Sequence, residues 1–203
     1  MKRIVFTQRV EVIESYNERR DCADQRIAEF IRTCGFLPIP VPNIPSIAKE
    51  IVVDIRPEGL ILVGGNSLVK YGGNAPERDE TDNALIHLAV EKNVPLYGFC
   101  RGMQSILEYF GNELIEVKGH VALKHNIVGM EENDYVNSYH NQGCIELKND
   151  ELIAVMRTED GVIEKIRHRT LPIVGTMWHP ERETPFRKKD VDLLKSIIGG
   201  IEL

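Results

Sequence analysis

The chain has 203 residues, 42% of them hydrophobic and 28% charged, with a formal net charge of −6. The acidic balance argues against binding of DNA or RNA, which needs a basic footprint, and leaves room for a local basic pocket for one small anion. No apolar run approaches the roughly 18–20 residues of a membrane span, and four scattered cysteines (Cys22, Cys34, Cys100, Cys144) without a C-x-x-C pair argue against a zinc ribbon or a disulfide-dense secreted domain.

In chain order, the start "MKRIVFTQRVEV" lacks the apolar core of a signal peptide. A cytoplasmic protein is expected, with a strand over residues 3–7. Residues 21–34, "DCADQRIAEFIRTC", place apolar side chains at helical spacing before Gly35. A short proline-rich strand "FLPIPVP" follows, then a buried strand "PEGLILVGG" at 57–65. Residues 66–80 read as a loop by their Gly, Asn and Pro content. "TDNALIHLAVEKN" predicts a helix capped by Thr81 or Asp82. "VPLYGF" is a strand and "RGMQSILEYFGN" the helix after it.

Beyond residue 112 the segments shorten. "ELIEV", "VALKHNIVG", "CIELK", "LIAVMRT" and "GVIEKIRH" read as strands, with "EDG" at 159–161 as a hairpin turn. "LPIVGTMW" is a buried strand and "RKKDVDLLKSIIGG" a closing helix. The alternation predicts a doubly wound α/β fold with a mainly parallel sheet and a late β-rich elaboration. Its length suits one domain over residues 1–203.

Two motifs carry chemistry. "G-F-C-R-G" at 98–102 has the G-x-nucleophile-x-G form at a strand-to-helix turn. Gly98 and Gly102 permit the sharp turn that leaves Cys100 at the sheet edge, where the helix N-terminus favours a thiolate. "W-H-P-E" at 178–181 ends another buried strand. His179 can take a thiol proton and return it to a leaving nitrogen, and Glu181 can fix the imidazole tautomer.

"GFCRGMQS" with "WHPE" resembles the class I glutamine amidotransferase domain, a flavodoxin-like sandwich. "VNSYHNQ" at 136–142 and "GG…YGG…RDETDNALI" at 64–86 bring it closer to that superfamily's free-standing γ-glutamyl hydrolases. The resemblance implies Cys100 as nucleophile, His179 as base and Glu181 as its partner. It implies an oxyanion hole from the backbone N–H groups of Gly65 and Arg101. Gln104 would face the amino-acid end of the glutamyl group, and the 138–142 stretch, with Ser138, Tyr139, His140 and Asn141, would clamp it largely through backbone groups. Two departures are visible: His140-Asn141 where the family often has two histidines, and Met-Trp before the base instead of Gln-Phe.

The resemblance implies hydrolysis of a γ-glutamyl amide through a glutamyl thioester. The overall sequence is similar to hydrolases of γ-glutamyl-CDP-amidate, which supply cytidine diphosphoramidate for capsule modification. A catabolic hydrolase of γ-glutamyl amines (γ-glutamyl-GABA type) and a glutaminase subunit feeding ammonia to a synthase are the alternatives. Lys70 and Arg78, in a loop expected beside the active-site mouth, would suit a phosphate-bearing leaving group. A small-molecule substrate is expected, with no cofactor, metal, nucleic-acid polymer or membrane; self-association into a homo-oligomer stays open. His120 and His125 lie five apart on an expected strand. That spacing sends them to opposite faces and argues against a shared metal.

Overall fold

The computed structural model describes residues 1–128 and 135–200. Gly129, the last residue of the expected 121–129 strand, lies outside the described residues, as does the 201–203 end of the expected domain.

The first half alternates strand and helix. β1 (Arg3–Phe6) leads into a hairpin, β2 (Arg9–Ile13) and β3 (Glu18–Cys22), then α1 (Gln25–Thr33). β4 (Leu37–Pro40), α2 (Pro45–Ile55), β5 (Gly59–Leu62), α3 (Pro76–Lys92), β6 (Leu96–Phe99) and α4 (Arg101–Tyr109) follow. Next come β7 (Ile115–Glu116), β8 (Val121–Asn126), β9 (Tyr135–Tyr139) and β10 (Gln142–Gly143). The chain then returns through β11 (Leu152–Arg157), β12 (Ile163–His168) and β13 (Ile173–Thr176) to α5 (Lys188–Gly199).

The main sheet has the order β11-β12-β13-β6-β5-β1-β4. β13, β6, β5, β1 and β4 run parallel, and β11 and β12 add an antiparallel edge. β5, β6 and β13 are buried at every residue, as strands covered on both faces must be. On one face α1 and α5 bring Phe30, Ile31, Leu194 and Ile197 onto the sheet. On the other, α2, α3 and α4 bring Val52, Leu85, Met103 and Ile106. This is the doubly wound fold the alternation predicts. Among the described residues, no helix is long and apolar enough to cross a membrane.

Several elements differ from expectation. α1 starts at Gln25, where the Asp24 side chain accepts the Arg26 N–H at 2.9 Å. Residues 18–22 are instead paired with β2, and Asn17 turns the chain in the left-handed region at φ 50°. α2 is a helix the sequence reading left out, although Pro45 at its first turn and Ala48 and Val52 on one face mark it. α3 starts at Pro76, not at residue 81, so Thr81 and Asp82 lie buried within it and do not cap it. "CIELK" forms no strand. The expected turn at 159–161 is present: Gly161 has φ 88° and donates to the Thr158 carbonyl at 3.0 Å.

The fold also fixes how tightly α4 meets the sheet. A Cβ on Gly102 would sit 2.0 Å from the Leu62 carbonyl oxygen, a backbone atom that cannot swing away. Gly102→Ala is therefore expected to destabilise by about 3 kcal/mol or more, the upper end for an overpacked site. Urea unfolding checks this; an unchanged midpoint would contradict the packing.

Candidate active site

β6 delivers Cys100 at its C-terminal end and α4 begins at the next residue. Cys100 has φ 50° and ψ −112°, a left-handed conformation rare for a residue with a Cβ. Its N–H donates to the Thr176 carbonyl at 2.7 Å, and its own carbonyl accepts the Gln104 N–H at 3.1 Å. One bond ties the turn to β13 and the other opens the helix. The first N–H groups of α4, including that of Arg101, have no partner within the helix.

β13 runs parallel to β6, so the chain leaving it carries His179 to the same edge. His179 Nδ1 meets Glu181 Oε1 at 2.6 Å, and both side chains are buried. A carboxylate only accepts, so Nδ1 carries the proton and Nε2 is the working nitrogen. Burial pulls the His179 pKa down, but the charge of Cys100, a hydrogen bond with it, and Glu181 outweigh burial and raise it to about 9. Cys100, His179 and Glu181 thus lie together as one buried unit. Phe99 and Tyr139 flank the imidazole edge-on, each with ring centroids 5.7 Å away.

Asn137 is a positioning residue that sequence reasoning missed. Its Oδ1 accepts the His179 N–H at 2.8 Å and its Nδ2 donates to the His179 carbonyl at 2.9 Å. It lies within "VNSYHNQ", where the family resemblance points only to residues 138–142 after it.

Gly65 lies at φ 86° just beyond β5. Arg78 holds that turn from below. Fully buried, it donates to the carbonyls of Val63 (2.5 Å), Gly64 (2.9 Å) and Gly65, and to Asn66 Oδ1 (3.1 Å). Burial lowers its guanidinium to about 9, with the charge of Cys100 opposing that shift, so it stays cationic at neutral pH. Arg78 is therefore not the surface cation expected. Lys70 is exposed but pairs with Glu108 at 3.0 Å and lines a different cleft from the one at His179. The expected Lys70/Arg78 phosphate loop is not assembled.

The Arg101 side chain points inward to Asp79, Asp82 and Ser105 Oγ (3.0 Å), which bolts α4 to α3. Gln104 is buried and donates to the Gln142 carbonyl at 3.0 Å. Ser138 donates to the His120 carbonyl at 2.7 Å and His140 is turned inward, whereas Asn141 is exposed. Among these expected clamp residues, the Tyr139 ring meets the His179 imidazole.

A cleft of about 290 Å³ opens onto His179 and Gly64–Gly65. The β2–β3 hairpin forms its outer wall with Arg9 and Cys22, and Arg182 closes the other side. Arg9 Nε donates to Cys22 Sγ at 3.3 Å, and Arg182 lies over the Tyr139 ring at 4.0 Å. Sequence reading missed this wall because Cys22 and its neighbours were placed in a helix. The alternation Arg9-Val10-Glu11-Val12 was the available signal.

The family model of glutamine amidotransferase class-I matches residues 20–192. The chain belongs to this family. It is 31% identical over 187 residues to a γ-glutamyl-CDP-amidate hydrolase of Campylobacter jejuni, covering 89% of this chain and 90% of that protein. A γ-glutamyl-γ-aminobutyrate hydrolase of Escherichia coli O157:H7 is 28% identical over 227 residues, covering 89% and 88%. Among solved structures, a putative GMP synthase subunit from Thermoplasma acidophilum superposes with a TM-score of 0.71 at 21% identity, covering 98% of this chain and 94% of that one. A Thermotoga maritima glutamine amidotransferase gives 0.68 at 15%, covering 99% and 86%. Both share the fold of this amidotransferase-family chain.

Proposed function

We propose that this chain is a γ-glutamyl amide hydrolase that works through a Cys100 thioester and that its substrate is γ-glutamyl-CDP-amidate. The reaction reading is carried by the buried unit of Cys100, His179 and Glu181 at the C-terminal edge of the parallel sheet. The Cys100 sulfur attacks the γ-carbonyl carbon. The oxyanion takes hydrogen bonds from the N–H groups of Gly65 and Arg101, each worth about 3–4 kcal/mol in the transition state. Protonated His179 gives its Nε2 proton to the leaving nitrogen and the C–N bond breaks. Neutral His179 then takes a proton from water as it attacks the thioester, and glutamate leaves with the sulfur restored as thiolate.

Two observations support the nucleotide amidate. The Campylobacter jejuni relative of that name aligns along nine-tenths of both chains. Arg9 and Arg182 stand at the cleft beside His179, where two cations would meet the diphosphate of the leaving group. On this reading the hairpin and the turn after His179, instead of residues 66–80, would hold the phosphates.

The test is glutamate release by the purified chain against γ-glutamyl-CDP-amidate, γ-glutamyl-GABA and glutamine. A preference of about 100-fold or more in kcat/KM for the nucleotide amidate is expected. Equal or better turnover of γ-glutamyl-GABA would overturn the substrate, and slow cleavage of glutamine alone would favour an ammonia-supplying subunit.

The pH dependence follows from His179. Its folded pKa lies above its ordinary 6.5, so its stabilising effect is complete below pH 6.5 and is lost as pH rises through about 9. The leaving nitrogen needs that proton, so kcat/KM should fall on an alkaline limb near pH 9. Glu181→Gln removes a group that raises His179 and should move the limb to lower pH. A limb unmoved by the substitution would contradict the pairing.

A further inference from the structure

His120, His140 and Glu164 are all buried and come from separate elements: the residue before β8, the residue after β9, and β12 of the main sheet. Sequence spacing sends His120 and His125 to opposite faces. The structure brings their rings to 4.3 Å at a tilt of 39°, because His120 precedes β8 and a register shift at Val121–Leu123, with Ala122 at φ 56°, re-aims the chain.

The outer hydrogen bonds set the tautomers. His120 Nε2 faces the Asp160 carboxylate at 2.9 Å, and His140 Nδ1 faces the Gln142 carbonyl at 3.1 Å. Both partners only accept, so both of these nitrogens carry the proton. In each neutral ring the other nitrogen is then a bare lone pair. His120 Nδ1 lies 3.6 Å and His140 Nε2 3.3 Å from Glu164 Oε1. With both rings neutral, these three ligand atoms, all within 4.8 Å of one another, turn only acceptors towards one point; Glu164 beside His120 raises the pKa of that ring, so an ion bound here displaces its second proton. Among the described residues, His120 Nδ1, Glu164 Oε2 and His125 Nε2 are buried without a hydrogen-bond partner.

We infer that His120, His140 and Glu164 form a binding site for a divalent transition-metal ion, with Zn²⁺ the best match. The two histidine–Glu164 separations of 3.6 and 3.3 Å fit edges of a tetrahedron with metal–ligand distances of about 2.0–2.2 Å, and the two imidazoles, within 4.8 Å of each other, close together around the ion on binding. Two imidazoles and one carboxylate suit zinc in preference to magnesium. Asp160 and the Gln142 carbonyl orient the ligating rings from outside, as second partners of metal-bound histidines do. The ion staples the β8–β9 hairpin to β12. It thereby fixes the turn that holds Tyr139 against His179 and Asn137 on its backbone. This role is structural and independent of the substrate.

The test uses the full chain with Cys100→Ser, which removes the Cys100–His179 pair as a rival metal site, after chelator stripping. Co²⁺ and Zn²⁺ are the probes. The expected result is one equivalent of Co²⁺ per chain with d–d absorption of nitrogen and oxygen ligation, no thiolate charge-transfer band, and displacement by Zn²⁺. Zn²⁺ at a hundredfold excess over its dissociation constant should raise Tm by about 5 °C or more. Glu164→Gln should abolish the stoichiometric binding. Absence of stoichiometric Co²⁺, a thiolate band, or binding retained in Glu164→Gln would each overturn the site. If Glu164→Gln fails to fold, the cobalt spectrum of the Cys100→Ser protein decides by itself.

Discussion

Replacing Cys100 with alanine is expected to lower kcat on any γ-glutamyl amide by about 10⁴-fold or more, with the fold unchanged. The sulfur is the group that bonds to carbon in the proposed reaction, and none of the other buried groups can replace it. His179 and Glu181 stay in place without it, because Asn137 holds the His179 backbone on both sides. The elbow also survives. Its shape is set by Gly98, Gly102 and the bond from the residue-100 N–H to Thr176, none of which involves the thiol. Glutamate release measured beside circular dichroism checks both halves. Retained turnover with an unchanged spectrum would sink the nucleophile assignment; an unfolded variant would contradict the claim that the turn is built from backbone.

The second large effect is expected at a residue that would not touch substrate. Arg78→Met should cost about 3 kcal/mol or more of stability and about 10²-fold in kcat, with a smaller change in KM. Methionine fills much of the volume but leaves the carbonyls of Val63, Gly64 and Gly65 buried without their donor. Arg78 holds those carbonyls, and Gly65, the proposed oxyanion donor, lines the cleft at the end of the same turn. Freed from the guanidinium, the turn can relax and misplace the proposed oxyanion donor. Arg78→Lys keeps the charge but has a single nitrogen and cannot fork to three carbonyls, so it should rescue little. Full rescue by lysine would show that charge near Cys100 matters and that the geometry does not.

The candidate site was legible where local chemistry allowed few alternatives. Two glycines around Cys100 can be read because a Cβ at either position would strike backbone or α4, and only one kind of turn needs that. His179 and Glu181 sit two residues apart after a strand of four buried residues, so their pairing follows from spacing. The parallel core was legible for the same reason: β5 and β6 are unbroken apolar runs between helical patterns. What was hidden depends on long-range contact. Arg78 reads as a loop cation until Pro76 is seen to start α3 and turn it under Gly65. The β2–β3 hairpin carries polar side chains on most of its length and is held by outside partners, with Arg19 bonded to Glu77 and Asp21 to Asn43. Its strand character therefore leaves only a weak hydrophobic pattern. The meeting of His120 with His140 and Glu164 depends on an irregular register and on three distant elements. Spacing along one strand pointed the opposite way.

The central claim is a covalent glutamyl intermediate on Cys100. The most direct measurement is acid quenching of the full chain during steady-state turnover of γ-glutamyl-CDP-amidate, followed by intact-mass and peptide mass spectrometry. The predicted result is one glutamyl group per chain, located on the peptide containing Cys100 and released by hydroxylamine, as a thioester is. Rapid glutamate release with Cys100 unmodified at every quench time, and undiminished in Cys100→Ala, would contradict the account.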